Sequence, residues 1–192
     1  MPLPAVPPLA PIPFWYLRHG ETDWNAQNLS QGNIDIPLNA NGLAQAHAAA
    51  ARLGGRGITT IVSSPLSRAR VTAEIAGAAL GLPIRIDEGL REVSFGEQEG
   101  QPMGDWYADW VTDRFTPQGA ESFFDLRVRA HGAISRSQVL GPSVLVVAHG
   151  ALFRAIRRLM GLEPNVRTQN ALPMLCVPPP EAEAPWRLDA LD

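Results

Sequence analysis

Two short apolar runs in this chain each end at a histidine followed by glycine. The first is Phe14-Trp15-Tyr16-Leu17-Arg18-His19-Gly20, and the second is Val144-Leu145-Val146-Val147-Ala148-His149-Gly150. Both are rich in β-branched or aromatic residues and too short for a core helix, so they read as strands buried on both faces. Helix-compatible sequence follows each, which places both histidines at carboxyl ends of strands. In an open α/β sheet that edge is where ligands bind. Two imidazoles meeting there, one with an arginine beside it, point to phosphate chemistry.

The rest of the chain alternates in the same way. Ile12 to Arg18, Thr59 to Ser63, Pro83 to Ile86, Ser143 to Ala148 and Leu172 to Val177 read as strands, and Trp186 to Leu188 as an edge. Helices are expected after Asn39, with Leu43, Ala46, Ala50 and Leu53 as the buried stripe, and from Ser64-Pro65 onward, with Leu66, Ala69, Ala73, Ala76 and Leu80. Further helices are expected over Ser122 to Val139 and Ala151 to Met160. The predicted class is α/β, a three-layer αβα arrangement with a mostly parallel central sheet. Residues 14–192 form one predicted domain, and Met1 to Pro13, with six prolines and no Lys or Arg, a flexible leader rather than a secretory signal.

Composition excludes several functions. At 192 residues with 45% hydrophobic and 18% charged side chains, the chain can build an ordinary soluble core. A formal net charge of −3 gives no basic field for nucleic acid or an anionic membrane. No apolar segment reaches the ~20 residues that span a bilayer, and the cytoplasm is the expected location. Cys176 is the one cysteine, so neither a disulfide nor a multi-cysteine metal site is available. Val177-Pro178-Pro179-Pro180 follows it, which is not a phosphate-cradling loop and excludes a cysteine phosphatase.

Four separated motifs then resemble one family. They are Leu17-Arg18-His19-Gly20-Glu21-Thr22, Ser64-Pro65-Leu66-Ser67-Arg68-Ala69-Arg70-Val71-Thr72-Ala73, Leu90-Arg91-Glu92-Val93-Ser94-Phe95-Gly96 with Glu99-Gly100, and Val147-Ala148-His149-Gly150. Their order and content resemble the histidine phosphatase superfamily, the phosphoglycerate mutase-like family, over about Trp15 to Asn170. The resemblance implies a phosphoglycerate mutase-like fold. It also implies a phosphoric monoester hydrolase of the histidine acid phosphatase type, acting without cofactor or metal on a small phosphorylated substrate.

That resemblance gives roles to particular residues. His19 is the candidate nucleophile, and its attacking nitrogen must be unprotonated. Arg18 and Arg68 are expected to disfavour its imidazolium and to bind phosphate oxygens bidentately. His149 is implied to contact the transferred phosphoryl group, with a charged ring as one option. Asn25 and Gln31 match polar positions of the phosphate site, and Gly32 allows close backbone approach. Glu92 is the candidate proton donor, since a carboxyl group beside a phosphate dianion holds its proton more tightly. Glu99 is assigned to structure, and Glu97, Arg70, His47 and His131 to exposed faces. Trp106, Tyr107 and Trp110 either wall a substrate subsite or pack into the core. Ala120 stands where many members carry a second Gly.

Besides a non-catalytic phospho-ligand-binding protein, two other readings compete. A phosphoglycerate mutase uses the same scaffold, but no Lys or Arg lies between Gly96 and Asp113 to hold a substrate carboxylate. Zinc held by His19, His149 and Glu92 is the other, and the arginines beside them would repel a dication.

Overall fold

The computed structural model describes residues 5–181 and 184–191. Six strands form one sheet in the order β3-β2-β4-β1-β5-β6: β1 (Phe14–Arg18), β2 (Thr60–Ser63), β3 (Ile84–Ile86), β4 (Val144–Ala148), β5 (Pro173–Val177) and β6 (Arg187–Ala190). The β3-β2-β4-β1 portion is parallel. β5 and β6 add to it antiparallel. The parallel strands need crossovers, and helices α2 (Ala40–Leu53), α3 (Ser67–Leu80) and α5 (Phe123–Gln138) supply them. Helix α6 (Gly150–Leu159) follows β4, while α1 (Asp23–Ala26) and α4 (Trp106–Trp110) are short.

The three layers follow from strand alternation. Phe14, Tyr16, Val62, Val146 and Ala148 bury one face of the sheet against Leu126, Ala130, Ile134, Leu152, Phe153 and Ile156 of α5 and α6. Trp15, Leu17, Ile61, Leu145 and Val147 bury the other against Ala49, Ala50, Leu53, Ala73 and Ala76 of α2 and α3. The small alanine faces let α2 and α3 lie close to the sheet and to each other. Leu43, expected in that stripe, is 40% exposed, and Gly42 faces inward in its place. The reason is steric: the backbone at Gly42 lies directly against Gly20 and Glu21, where no side chain fits.

Helix α3 starts later than expected. Leu66 is its N-cap, without a side-chain cap bond, and Ser64 instead accepts the Leu66 amide at 3.3 Å. The Pro-rich leader also departs from expectation. Leu9 is only 5% exposed, and Gln138 donates to the carbonyls of Ala10 (3.1 Å) and Ile12 (2.7 Å). Prolines leave backbone carbonyls without competing local N–H donors, and one amide on α5 captures two of them. His131, expected on an exposed face, is half-buried beneath this segment with Nε2 3.3 Å from the Pro8 carbonyl. Residues 1–4 of the leader lie outside the described residues. No helix among the described residues is long and apolar enough to cross a membrane.

Candidate active site

The site forms where β1 and β4 end side by side. Arg18 pairs with Ala148, and the His19 amide donates to the Ala148 carbonyl at 3.0 Å, so both histidines emerge from one edge. Their ring centroids are 5.2 Å apart. Gly20 then turns the chain against Gly42 of α2, a contact that a Cβ would abolish.

His19 is 2% exposed, and its Nδ1 donates to the Gly20 carbonyl at 2.7 Å. That bond fixes the tautomer and leaves the Nε2 lone pair free. Burial, and then the Arg68 and Arg18 guanidinium groups, hold the ring well below the usual histidine pKa. His149 is fully buried and is likewise held well below it, by burial first, then by Arg68, His19 and Arg18. The charged ring considered for His149 is therefore disfavoured in the free protein; only an anion beside it can offset these causes. Its Nε2 lies 2.7 Å from the Ser64 hydroxyl, and its Nδ1 has no partner among the described residues. The Tyr16 hydroxyl fixes the backbone here, donating to the His149 carbonyl at 2.7 Å and accepting its amide at 3.1 Å.

The two expected arginines converge on His19. Arg68, fully buried, donates to the carbonyls of Gly32 (2.7 Å) and Ile34 (2.9 Å). Arg18 donates to the Thr168 carbonyl at 2.6 Å. Each keeps a buried Nε–H without a partner among the described residues. Burial draws Arg18 down to about 10, with Arg167 adding to the effect and Glu92 opposing it, so it remains a cation at neutral pH.

The polar loop contributes amides. The Asn25 Oδ1 accepts from the Thr22 amide (3.3 Å) and from Asn170 Nδ2 (3.1 Å), and Gln31 Oε1 accepts from the Thr22 hydroxyl at 2.9 Å. Both side chains line the cleft, and their oxygens are held by the scaffold, which leaves the NH2 donors for an anion. Gly32 has φ +53, and a side chain there would strike the Glu99 carboxylate. Glu99 accepts the Asn33 (3.0 Å) and Phe95 (3.1 Å) amides, tying the loop to the segment after Glu92.

Glu92 is 7% exposed. Its carboxylate accepts the amides of Val93 (3.0 Å), Ala151 (3.0 Å) and Leu152 (2.9 Å), which docks it on the N-terminus of α6. Glu97 is exposed, and Arg70 is exposed and pairs with Glu74. The aromatic cluster divides: Tyr107 lines the cleft with Phe95, Trp110 is fully buried in the core, and Trp106 packs on Phe95. Ala120 forms a bridge with Phe95, so it supports a wall of the cleft.

The cleft encloses about 240 Å³ and brings together Arg18, His19, Asn25, Gln31, Arg68 and Glu92. It also brings in two arginines that sequence reasoning missed, Arg154 of α6 and Arg167 of the following loop. The absence of cations between Gly96 and Asp113 does not leave the cleft short of positive charge, because these two come from later in the chain. For Arg154 a signal existed, since it lies one helical turn beyond Gly150. For Arg167, in a loop, there was none.

The model of the histidine phosphatase superfamily, branch 1, matches residues 14–177. The chain belongs to this superfamily. Among histidine phosphatases it is 36% identical over 176 residues, 90% of each chain, to a protein of Bacillus subtilis described as the uncharacterized phosphatase PhoE. It is 39% identical over 173 residues to a probable phosphoglycerate mutase, GpmB, of Escherichia fergusonii, covering 81% of this chain and 80% of that one. The fold is similar to a mycobacterial glucosyl-3-phosphoglycerate phosphatase solved with VO3, at TM-score 0.80 and 32% identity over 93% of this chain and 98% of that one. The superfamily thus includes both phosphatase and mutase relatives of this chain, and membership supports an enzyme.

Proposed function

We propose that the protein is a phosphomonoesterase that works through a phosphohistidine on His19. The observation that carries this reading is the His19 ring, with Nδ1 tied to Gly20 and a free, unprotonated Nε2 beside two guanidinium groups. In the first step Nε2 attacks phosphorus and the ester P–O bond breaks. Arg18, Arg68 and the amides of Asn25 and Gln31 stabilise the charge on the equatorial oxygens. His149, whose ring centroid lies 5.2 Å from that of His19, adds a neutral ring N–H as a donor. Glu92 gives its proton to the departing alkoxide. In the second step water attacks phosphorus, Glu92 accepts the proton, and the P–N bond breaks to release phosphate.

A phosphoramidate is acid-labile and base-stable. Quenching turnover of a labelled ester in base traps label on the peptide containing His19, and His19→Ala abolishes label and turnover. Label on His149 would reverse the two roles.

A mutase is the second reading, and Arg154 with Arg167 favours it more than the sequence alone does, because they can hold a substrate carboxylate. Comparing phosphate release with interconversion of the two phosphoglycerates separates the readings. Faster interconversion than release would favour the mutase.

A further inference from the structure

The loop that enters β5 clasps the end of β1 by successive bonds. Arg18 donates to the Thr168 carbonyl at 2.6 Å, and the Ala171 amide donates back to the Arg18 carbonyl at 2.9 Å. Between them, Asn170 Nδ2 donates to the His19 carbonyl at 3.0 Å. Asn170 does not line the cleft, and no step of the proposed reaction uses it. Its neighbour Ala171 is buried at φ +50, a left-handed conformation that costs energy for a residue with a Cβ. Such strain persists only where surrounding contacts over-determine the backbone, and the bonds to Arg18 and His19 are contacts of that kind.

The same Asn170 Nδ2 also donates to Asn25 Oδ1, at 3.1 Å. Backbone partners fix the orientation of both amides. The His19 carbonyl can only accept, so the Asn170 atom beside it is the nitrogen. The Thr22 amide, 3.3 Å from Asn25, can only donate, so the Asn25 atom beside it is the oxygen. Asn25 Oδ1 is thus held by two donors, and its NH2 group is the end left for the cleft that Asn25 lines. Asn25 sits on α1, a helix of 4 residues, too short to be rigid by itself. Without Asn170, the long bond from Thr22 would be the only one holding its side-chain amide.

We infer that Asn170 is a positioning residue for the transferred phosphate: its NH2 group holds the His19 backbone and locks the Asn25 amide with its donors toward the anion. This rests on the phosphoryl group being held at His19, as in the reading above. Asn170 touches no reacting atom and acts only through His19 and Asn25. An Asn25 amide turned the other way would set an oxygen lone pair against the phosphoryl oxygens. Its orientation therefore decides whether Asn25 attracts the anion or repels it, and losing Asn170 shows in phosphate affinity beyond any effect on the fold.

A double-mutant cycle tests this assignment. Calorimetry measures binding of inorganic phosphate to the wild type, Asn25→Ala, Asn170→Ala and the double variant, and hydrolysis of p-nitrophenyl phosphate is followed on the same preparations. Asn170→Ala weakens phosphate binding about tenfold, as loss of one hydrogen bond to a charged group implies. In the Asn25→Ala background the same substitution costs about threefold or less, because no amide remains to be oriented. A merely structural role would give the same factor in both backgrounds. Asn170→Leu keeps the branched shape of the side chain without its donors, so it keeps the test valid should Asn170→Ala fail to fold. Equal factors in both backgrounds, unchanged binding in Asn170→Ala, or no phosphate binding by the wild type overturns the assignment. Coupled phosphate binding without hydrolysis of any ester by the wild type retains it and removes the hydrolase reading. Hydrolysis with equal factors in both backgrounds does the reverse.

Discussion

The Glu92 carboxylate caps the amides of Ala151 and Leu152 at 3.0 and 2.9 Å, so the proposed proton carrier is fastened to the helix that begins next to His149. Glu92→Gln therefore has two separable effects. A neutral amide offers one oxygen to three N–H donors, and stability falls by about 1–3 kcal/mol. Turnover falls most for alkyl esters, whose alkoxide needs a proton, and least for p-nitrophenyl phosphate. Equal losses for both ester types would take the acid role away from Glu92.

Hydrolysis of p-nitrophenyl phosphate is expected without added metal, because the Arg18 and Arg68 guanidinium groups can neutralise the phosphoryl charge. Activity is measured before and after treatment with a chelator. Loss with the chelator and recovery with a divalent metal would contradict this expectation.

Arg68→Lys should lower kcat/KM by about 10²–10³. Lysine cannot bond the Gly32 and Ile34 carbonyls and still offer an N–H to phosphate in the same plane. The substitution is checked with p-nitrophenyl phosphate, alongside circular dichroism to confirm the fold. A loss below tenfold would remove Arg68 from the phosphate site.

Stability should fall in mild acid. In the unfolded chain histidine binds a proton near pH 6.5, whereas in the folded chain His19 and His149 do so only well below it. Below pH 6.5 the unfolded state thus holds more protons, and stability rises with pH through that window. Two groups give a slope of up to about 2.7 kcal/mol per pH unit. The urea midpoint should be level above pH 7.5 and drop below 6.5, and His149→Asn should remove about half of the drop. A midpoint unchanged down to pH 5 would contradict the buried neutral pair.

Gln138→Ala should cost about 1–3 kcal/mol by freeing the Ala10 and Ile12 carbonyls. The kcat should hold, because Gln138 is remote from the cleft. Thermal unfolding and steady-state kinetics on one preparation check both halves. A stability equal to wild type would mean that the leader contributes nothing.

Motifs that are local in sequence were legible before the structure. The two His-Gly strand ends, the Arg68 helix and the Glu92 segment each declare themselves within a few residues, and all meet at one sheet edge. What was hidden depends on packing between distant segments. Leu43 looked buried because helical spacing says nothing about how near a neighbouring backbone comes, and Gly42 occupies that approach. Arg167 sits in a loop with no periodicity, and only the bond from Arg18 to Thr168 brings it to the cleft. Trp110 and Tyr107 are three positions apart on one short helix, and only the surrounding fold sends one to the core and the other to the site.

The Tyr16 hydroxyl meets the His149 backbone across 133 positions of chain, on strands that are neighbours at the centre of the sheet. Closing so long a loop is entropically costly and slow relative to forming local helices. No partial chain ending before β4 can assemble the paired histidines. During refolding, helical signal should therefore return before any capacity to bind vanadate or phosphate. Ligand binding at this edge would serve as a clock for the last stage of folding, the moment when the two halves of the parallel sheet join.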